Sequence, residues 1–468
     1  MSIIDLFLFR FSDTVFGLSF VMEILPPTDQ RNGSAAHHRR NVQKEETLDR
    51  VVNGTCSLEP KVHSVWSNIL LFLLCTLLSL MLMLFLDGCR PACDPWKVFG
   101  PERVSLWDWK ALQIVVAFTA LQGVLYYLPF GNVVEGKVGH DGKRIRYSLN
   151  GLHALAVTVL LLVALWYCGM FQGSTVSGRV LQLVMACTAL SLLAATVLYL
   201  HSLSADPRQL VDYGDGGNFL QEFALGRIMD PSVGRIDLKQ FCMVRIGFIG
   251  WAQVDLCYLL TEIEMRGAPS LPLMLVVTFQ LIYILDFLID EESVLPTKEY
   301  TEDGIGFIMI LGEYIWIPFF SSLPVHFLLH RPTHICPLTT TIICLLFGFG
   351  FLVYYLSNDQ KDRFRKNPND PVFAHLETLA SPSGKNLLVS GWFGWVRHPN
   401  YLGDILMALA WCLPCGITSL LPYLPFLQCT NLLRRRANEL EEACREKHGI
   451  AWQEYCRRVP HKLVPHVY

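Results

Sequence analysis

The chain is punctuated by apolar stretches about as long as a bilayer is thick. A helix rises about 1.5 Å per residue, so roughly 20 apolar residues carry it across a hydrocarbon core. Stretches of that kind occur at about 67–87, 109–128, 151–171, 179–201, 246–261, 271–289, 305–329 and 336–356. A longer one, at about 405–433, is broken by "LPCG" at 413–416 and by Pro422 and Pro425, and reads as two short or kinked helices. Within lipid each backbone amide must be satisfied by the chain itself, which favours helices for segments of this length. The expected fold class is an all-α polytopic membrane protein with about ten transmembrane helices.

Composition agrees with that reading. Only 17% of residues are charged and the mean hydropathy is +0.36, whereas soluble domains carry about 25% charged residues. A net charge of −3 leaves no basic footprint for nucleic acid. Most of the fifteen cysteines lie inside apolar runs such as "LLFLLCTLL" and "LVMACTALSLL", where they act as small reduced hydrophobes rather than disulfides or metal ligands. Cys89 and Cys93 in "DGCRPACDP" are the close pair in a loop.

The first segment, "MSIIDLFLFRFSDTVFGLSFVMEIL", is interrupted by Asp5, Arg10 and Asp13, and reads as an interfacial helix rather than a cleaved signal. Residues 27–57 are polar, of mixed charge and punctuated by Pro and Gly, the pattern of a disordered cytosolic tail. Asn32 and Asn53 sit in sequons. Residues 1–57 are therefore expected to form a tail, and residues 58–468 a single membrane domain. Basic residues cluster in alternate loops: Lys137, Lys143, Arg144 and Arg146; then Arg208, Arg227, Arg235, Lys239 and Arg245; then "KDRFRKNP"; then "NLLRRRANELEEACREKHG". That asymmetry places both termini on the cytosolic side, although "DEESVLPTKEYTEDG" is acidic.

Ionisable groups inside spans are costly and mark function or an internal hydrogen bond. Glu313, Asp286 and Asp255 are such groups, and both readings stay open for each. Lys361 and Arg365 lie four residues apart, on one helix face, as a phosphate-binding pair or as ordinary juxtamembrane charge. In "GWFGWVRHPNYLGD", Gly391 and Gly394 permit close backbone approach, Arg397 is an anion contact, Asn400 can pair with an amide, and Tyr401 can stack or act as a weak acid. The chain ends with aromatics interleaved with Arg457, Arg458 and Lys462. A dinucleotide fingerprint of the Rossmann type is absent, and no pattern of metal ligands is seen.

The stretches "LLVSGWFGWVRHPNYLGDILMALAWCLPCG", "AWQEYCRRVP", "FRKNPNDP", "LHRPT", "DGIGFIMILGEYIWIPF", "RGAPSLPLMLVVTFQLIY", "IDLKQFC" and "LPFGNVVEGK" resemble the delta-14 sterol reductases and the C-terminal domain of lamin B receptor. The resemblance runs from about residue 58 to the end. It implies a ten-helix sterol-reductase fold, with NADPH in the C-terminal half (about 300–468) and a sterol in an adjoining pocket. Carried over by position, the cofactor contacts are Lys361, Arg365, Leu388, Asn400, Tyr401 and Tyr455, with Arg397, His398 and Asp404 also matching. Phe393 stands where the family has a second Trp. The reaction needs a proton before hydride can reach an unpolarised C14=C15 bond, and Glu313, Asp286 and Tyr401 are the candidates to supply it.

Several positions depart from the family pattern: Gln221, Ile228, Met243, Ile246, Ser321, Glu439 and Leu440. Glu439 replaces an Arg and Leu440 an Asp; Arg434 to Arg436 lie one turn earlier. Three functions follow from these observations. The first is NADPH-dependent reduction of the sterol C14=C15 bond in the endoplasmic reticulum. The second is a weak or inactive, lamin B receptor-like protein of the inner nuclear or reticulum membrane, with lamina or chromatin as a partner of the tail. The third is a methyltransferase of the prenylcysteine type, whose enzymes share "RHPNY". Sterol and membrane lipid are the expected small-molecule partners.

Overall fold

The computed structural model describes residues 105–465, apart from 139–143, 212–218 and positions 296, 302, 383 and 385. The expected tail, the first span at 67–87, both sequons and the Cys89/Cys93 pair lie outside the described residues.

Helix α1 spans Trp109–Tyr126 and is capped by Asp108, whose carboxylate accepts from the Lys110 amide at 2.8 Å. A hairpin follows where a plain basic loop was expected. Strands β1 (Asn132–Val138) and β2 (Arg144–Leu149) pair antiparallel, with Asn132 opposite Leu149 and Val134 opposite Tyr147. Its charges alternate with Val, Ile and Tyr, the period of a half-exposed ribbon. Helices α2 (Gly151–Tyr167) and α3 (Val180–Ser202) follow. A two-residue ladder of β3 (Ser232–Val233) and β4 (Ile236–Asp237) then leads into α4, Leu238–Arg266.

Helix α4 is straddled by α5 (Leu271–Ile289) and α6 (Phe307–His330). Both α4 and α6 contain a stretch of π-helix, at Phe241–Phe248 and Gly312–Phe320, and the two stretches pack on each other. These are the central helices: 83% of the α4 span and 89% of the α6 span is buried inside the protein, against 28% for α1 and for the helix Pro337–Lys366. Six described helices are long and apolar enough to cross a membrane, with Gly151–Tyr167 a shorter apolar one.

Helix α7, Pro337–Lys366, has 30 residues and is about 45 Å long, some 15 Å more than a hydrocarbon core. Its last turns, with Lys361 and Arg365, therefore stand clear of the apolar segment. Strands β5 (Thr378–Leu379) and β6 (Leu387–Leu388) form a small ribbon. Helix α8 begins at Pro399 and ends at Cys412, so "PNYLGD" is the first part of a helix rather than its approach. Two single 3-10 turns, Leu413–Cys415 and Leu421–Tyr423, break the run before α9 (Leu424–His448) and α10 (Ile450–Arg458).

Two residues counted above as loop charges are buried in the start of α4. Lys239 donates to the carbonyls of Tyr300 at 3.3 Å and Asp303 at 2.5 Å. Arg245, fully buried, donates to Asn150 and lies over the Tyr126 ring at 5.6 Å. Beside them, just outside the span, Asp237 accepts from the Gln240 amide at 2.9 Å, and burial pushes its carboxyl up to about 6. Such residues add nothing to the surface charge that orients loops.

Candidate functional site

The middle of α7 and the first half of α8 are held together by missing side chains. A Cβ on Gly403 would lie 2.5 Å from the Tyr354 amide nitrogen, and one on Gly350 would lie 2.9 Å from Leu406 Cβ. The close backbone approach sets the "NYLGD" face of α8 against α7. Deeper along this contact, Asp404 on α8, Tyr354 on α7, and Tyr283 and Asp286 on α5 form one electrostatic group. Asp404 is 3% and Tyr354 5% exposed, while Asp286 is half-buried.

Above this group lies the cationic tip of α7. Lys361 is half-buried with its Nζ 6.0 Å from the Phe393 ring centre, and Arg365 is exposed one turn further out. The floor beneath them is Phe364, Phe373, Leu388 and Phe393. Gly391, at φ +65°, lets the loop run against α7: a Cβ there would meet the Gln360 amide group at 2.7 Å, and Gln360 accepts from the Trp392 amide at 3.1 Å. Two cations over an aromatic and aliphatic floor suit a nucleotide, since phosphate needs convergent cations and a base needs a flat apolar surface.

The remaining residues of the 391–404 motif are placed differently. Arg397 is buried and paired with Glu441 at 2.6 Å, and it donates to the Val459 and Pro460 carbonyls at 2.8 and 3.1 Å. Lys462 closes the other side of Glu441 at 2.8 Å and donates to Asn438 at 2.9 Å. The amides of Arg397 and His398 donate to the carbonyls of His461 and Lys462. Tyr455 donates to the Phe393 carbonyl at 3.1 Å. Arg397, His398 and Tyr455 thus tie the motif to the C-terminal segment. His398 stacks on Tyr401 with ring centres 5.0 Å apart, and Asn400 is buried beside them. Leu440 packs against the apolar cluster around Tyr401, while exposed Glu439 lies 3.9 Å from Arg436.

Of the candidates for proton supply, Asp286 belongs to the Asp404 group and Tyr401 to the His398 stack. Glu313 lies elsewhere, at the centre of the π-helical contact, where its carboxyl fills the space a Gly247 side chain would need. It is 1% exposed, and its Oε2 has no hydrogen-bond partner among the described residues. Cys242 and Tyr300 are its titratable neighbours. Wide turns of this kind recur at functional sites. The residues missed in the sequence are Tyr283, Tyr354, Gln360 and Glu441. Tyr283 alone left a trace, three residues before Asp286 on one helix face.

The other departures are absorbed locally. The Tyr300 hydroxyl points to Met243 Sδ at 3.8 Å, the Ser321 carbonyl accepts from Gln280 at 2.9 Å, and Ile228 and Ile246 are buried. Nothing in the structure explains Gln221.

The chain matches the profile of the ergosterol biosynthesis ERG4/ERG24 family over residues 91–468. It is 44% identical to the delta(14)-sterol reductase TM7SF2 of Mus musculus, over 79% of this chain and 88% of that protein. It is 38% identical to the delta(14)-sterol reductase LBR of Gallus gallus, over 77% of this chain and 57% of that longer protein. With the delta(14)-sterol reductase erg24 of Schizosaccharomyces pombe it shares 33% identity, over 78% of this chain and 87% of the other. A multi-pass helical chain matched from before its first described span to its last residue belongs to the ergosterol biosynthesis ERG4/ERG24 family.

Proposed function

We propose that this protein reduces the C14=C15 double bond of a sterol, taking hydride from NADPH. The observation that carries the reading is the stacking of two layers on one pair of helices. Cations stand at the tip of α7, and the Tyr354, Tyr283, Asp404 and Asp286 group lies about 10 Å deeper, seven residues back along the same helix. Lys361 and Arg365 would hold the phosphates over the Phe364, Phe373 and Phe393 floor, with Asn400 and Tyr401 for the amide end. The cofactor, when bound, supplies the hydride.

The protein's own part is to exclude water, orient the two reactants and deliver a proton. Glu313 is our choice of acid over Asp286 and Tyr401. Its carboxyl lies against Gly247 with Oε2 unpartnered among the described residues, so it can hand a proton to a bound sterol, and as it does so the cationic carbon formed in the sterol pairs with the new carboxylate. Asp286 and Asp404, close enough to feel each other, shape the cofactor mouth. A second reading, a family member without turnover, rests on Glu439 and Leu440, since a carboxylate on α9 would repel a 2′-phosphate and a Leu offers no polar contact.

Titration calorimetry on detergent-purified protein decides between them. NADPH should bind, NADH should bind more weakly, and Lys361→Ala should weaken NADPH by about tenfold, the loss of one charge-assisted contact. With binding established, Glu313→Gln should lower turnover of a Δ14-sterol by roughly 100-fold or more and leave NADPH affinity unchanged. Absence of NADPH binding at millimolar concentration would sink the enzymatic reading. Equal loss of turnover in Asp286→Asn with none in Glu313→Gln would move the acid to α5.

A further inference from the structure

Helix α3 ends beside the start of α6, and a cleft lies between them. The short helix Phe219–Leu225 and the chain from Gly226 to Pro231 form its other side. The cleft has about 240 Å³ of unfilled space out to its open rim, too little to enclose a membrane lipid whole, so a ligand would lie across it with one edge outside. Its floor is fixed. Gly226, at φ +92°, brings the chain so close to α6 that a Cβ there would collide with the Ile305 carbonyl, and the Arg227 carbonyl accepts from the Val211 amide at 2.8 Å.

The cleft has a polar end and an apolar end. At the polar end Arg227 Nε lies 3.3 Å from Glu222, with both side chains 22% exposed, and the guanidinium sits over the Tyr199 ring at 5.8 Å. Three residues further on, Asp230 is matched by Lys137 at 2.7 Å. The apolar end runs down α3 past Leu198 to Ala195, seven residues or about 10 Å from Ser202 at the helix end. Val197, Leu200 and Leu203 are exposed on the same stretch, as lipid-facing residues are. Rings make one wall: Tyr199 meets Phe219 edge-on at 5.1 Å, Phe219 lies along Phe223 at 6.0 Å, and Phe223 reaches Phe307 at 5.9 Å. The short connection 331–336 returns the chain from α6 to α7, so the start of α6 shares a membrane face with Lys361 and Arg365 at the end of α7. The polar end of the cleft therefore stands at the surface of that leaflet, and the apolar end reaches into it.

We propose that this cleft docks a sterol by its hydroxyl end, in the leaflet on the cofactor side. Charge selects a neutral head group. Arg227 is already neutralised by Glu222, so a phosphate would have to displace Glu222 and leave a carboxylate without its cation. A hydroxyl accepts from the guanidinium edge and donates to the carboxylate with the pair in place. Rigidity selects the body. A wall of rings over a fixed floor suits a fused ring system that has no torsions to lose, whereas an acyl chain gives up freedom to lie there. The inference adds a binding site to the proposed function and does not depend on Glu313 being the acid.

The test is photolabelling of the full chain in phosphatidylcholine nanodiscs, without cofactor, by a sterol with a diazirine on its ring system and a free 3β-hydroxyl. Mass spectrometry locates the label. It should concentrate on α3 near Leu198 and on residues 219–231, and a large excess of plain sterol should remove most of it. The 3-O-methyl ether of the probe, which cannot donate to Glu222, should label these peptides roughly fivefold less, the loss of one hydrogen bond. Glu222→Ala should cut the sterol label by a similar factor and raise labelling by a photoactivatable phosphatidylserine, whose anionic head the unpaired Arg227 would attract. The ether comparison uses the parent chain, so it stands whether or not the variant folds. Label spread over α3 and α7 in proportion to exposure would overturn the proposal, as would equal labelling by the ether or by a photoactivatable phosphatidylcholine. No cofactor or turnover enters, so failure here leaves the reductase reading standing, and a protein that never binds NADPH can still pass.

Discussion

Arg397 shows how a motif residue can fasten the fold. Its two terminal guanidinium nitrogens are engaged by Glu441 and by two carbonyls of the C-terminal segment. Removing one member of a buried ion pair costs about 3–5 kcal/mol. Arg397→Ala should therefore lower the thermal midpoint of the purified protein by several degrees, with Lys462 softening the loss. Lys361→Ala should leave the stability within about 0.5 kcal/mol of the parent and act on NADPH alone. Gly403→Ala tests the α7–α8 contact: with its Cβ 2.5 Å from the Tyr354 amide, the substitution should cost about 1–3 kcal/mol and loosen the site. The sequence marks Arg397 as polar and oddly placed, but its partner Glu441 lies on another helix, and no local pattern pairs them.

Among the elements, the long apolar helices were legible because lipid demands length and hydropathy, and α5 runs from Leu271 to Ile289, the expected 271–289. The π-helical stretches were not. A wide turn adds one residue to the cycle, and in a helix buried nearly all round there is no exposed stripe whose phase would reveal the slip. Their burial carries a consequence for dynamics. Amide exchange in lipid nanodiscs should be slowest in α4 and α6, where 83% and 89% of the span is covered by protein, and faster at the ends of α1. Equal protection of α1 and α4 would show that lipid, not packing, sets local stability. The β1–β2 hairpin was hidden for a different reason. Its residues Lys137, Arg144 and Arg146 read as loop charge, yet Lys137 is fixed to Asp230 at 2.7 Å.

At the scale of the whole molecule, the site is assembled by the end of the chain. The amides of Arg397 and His398 are bonded to His461 and Lys462, and Tyr455 holds the Phe393 carbonyl. A chain ending at Arg458 should keep its helical circular dichroism and lose NADPH binding by calorimetry. Retention of binding would show that α10 alone suffices. The candidate site was thus legible as a set of residue types concentrated in one half of the sequence. Which of them fasten the fold depended on contacts between helices far apart in the chain.

The overhang of α7 makes this protein sensitive to the thickness of its bilayer. One helix is anchored by its apolar length and carries Lys361 and Arg365 on the turns beyond it. A thicker membrane must tilt the helix, compress the lipid around it, or draw those charges toward the acyl region, each at a fraction of a kcal/mol per ångström. Lipids of longer acyl chain would then weaken the grip on phosphate before they disturbed any buried contact, so the chain would work best in the thin, sterol-poor membranes of the cell.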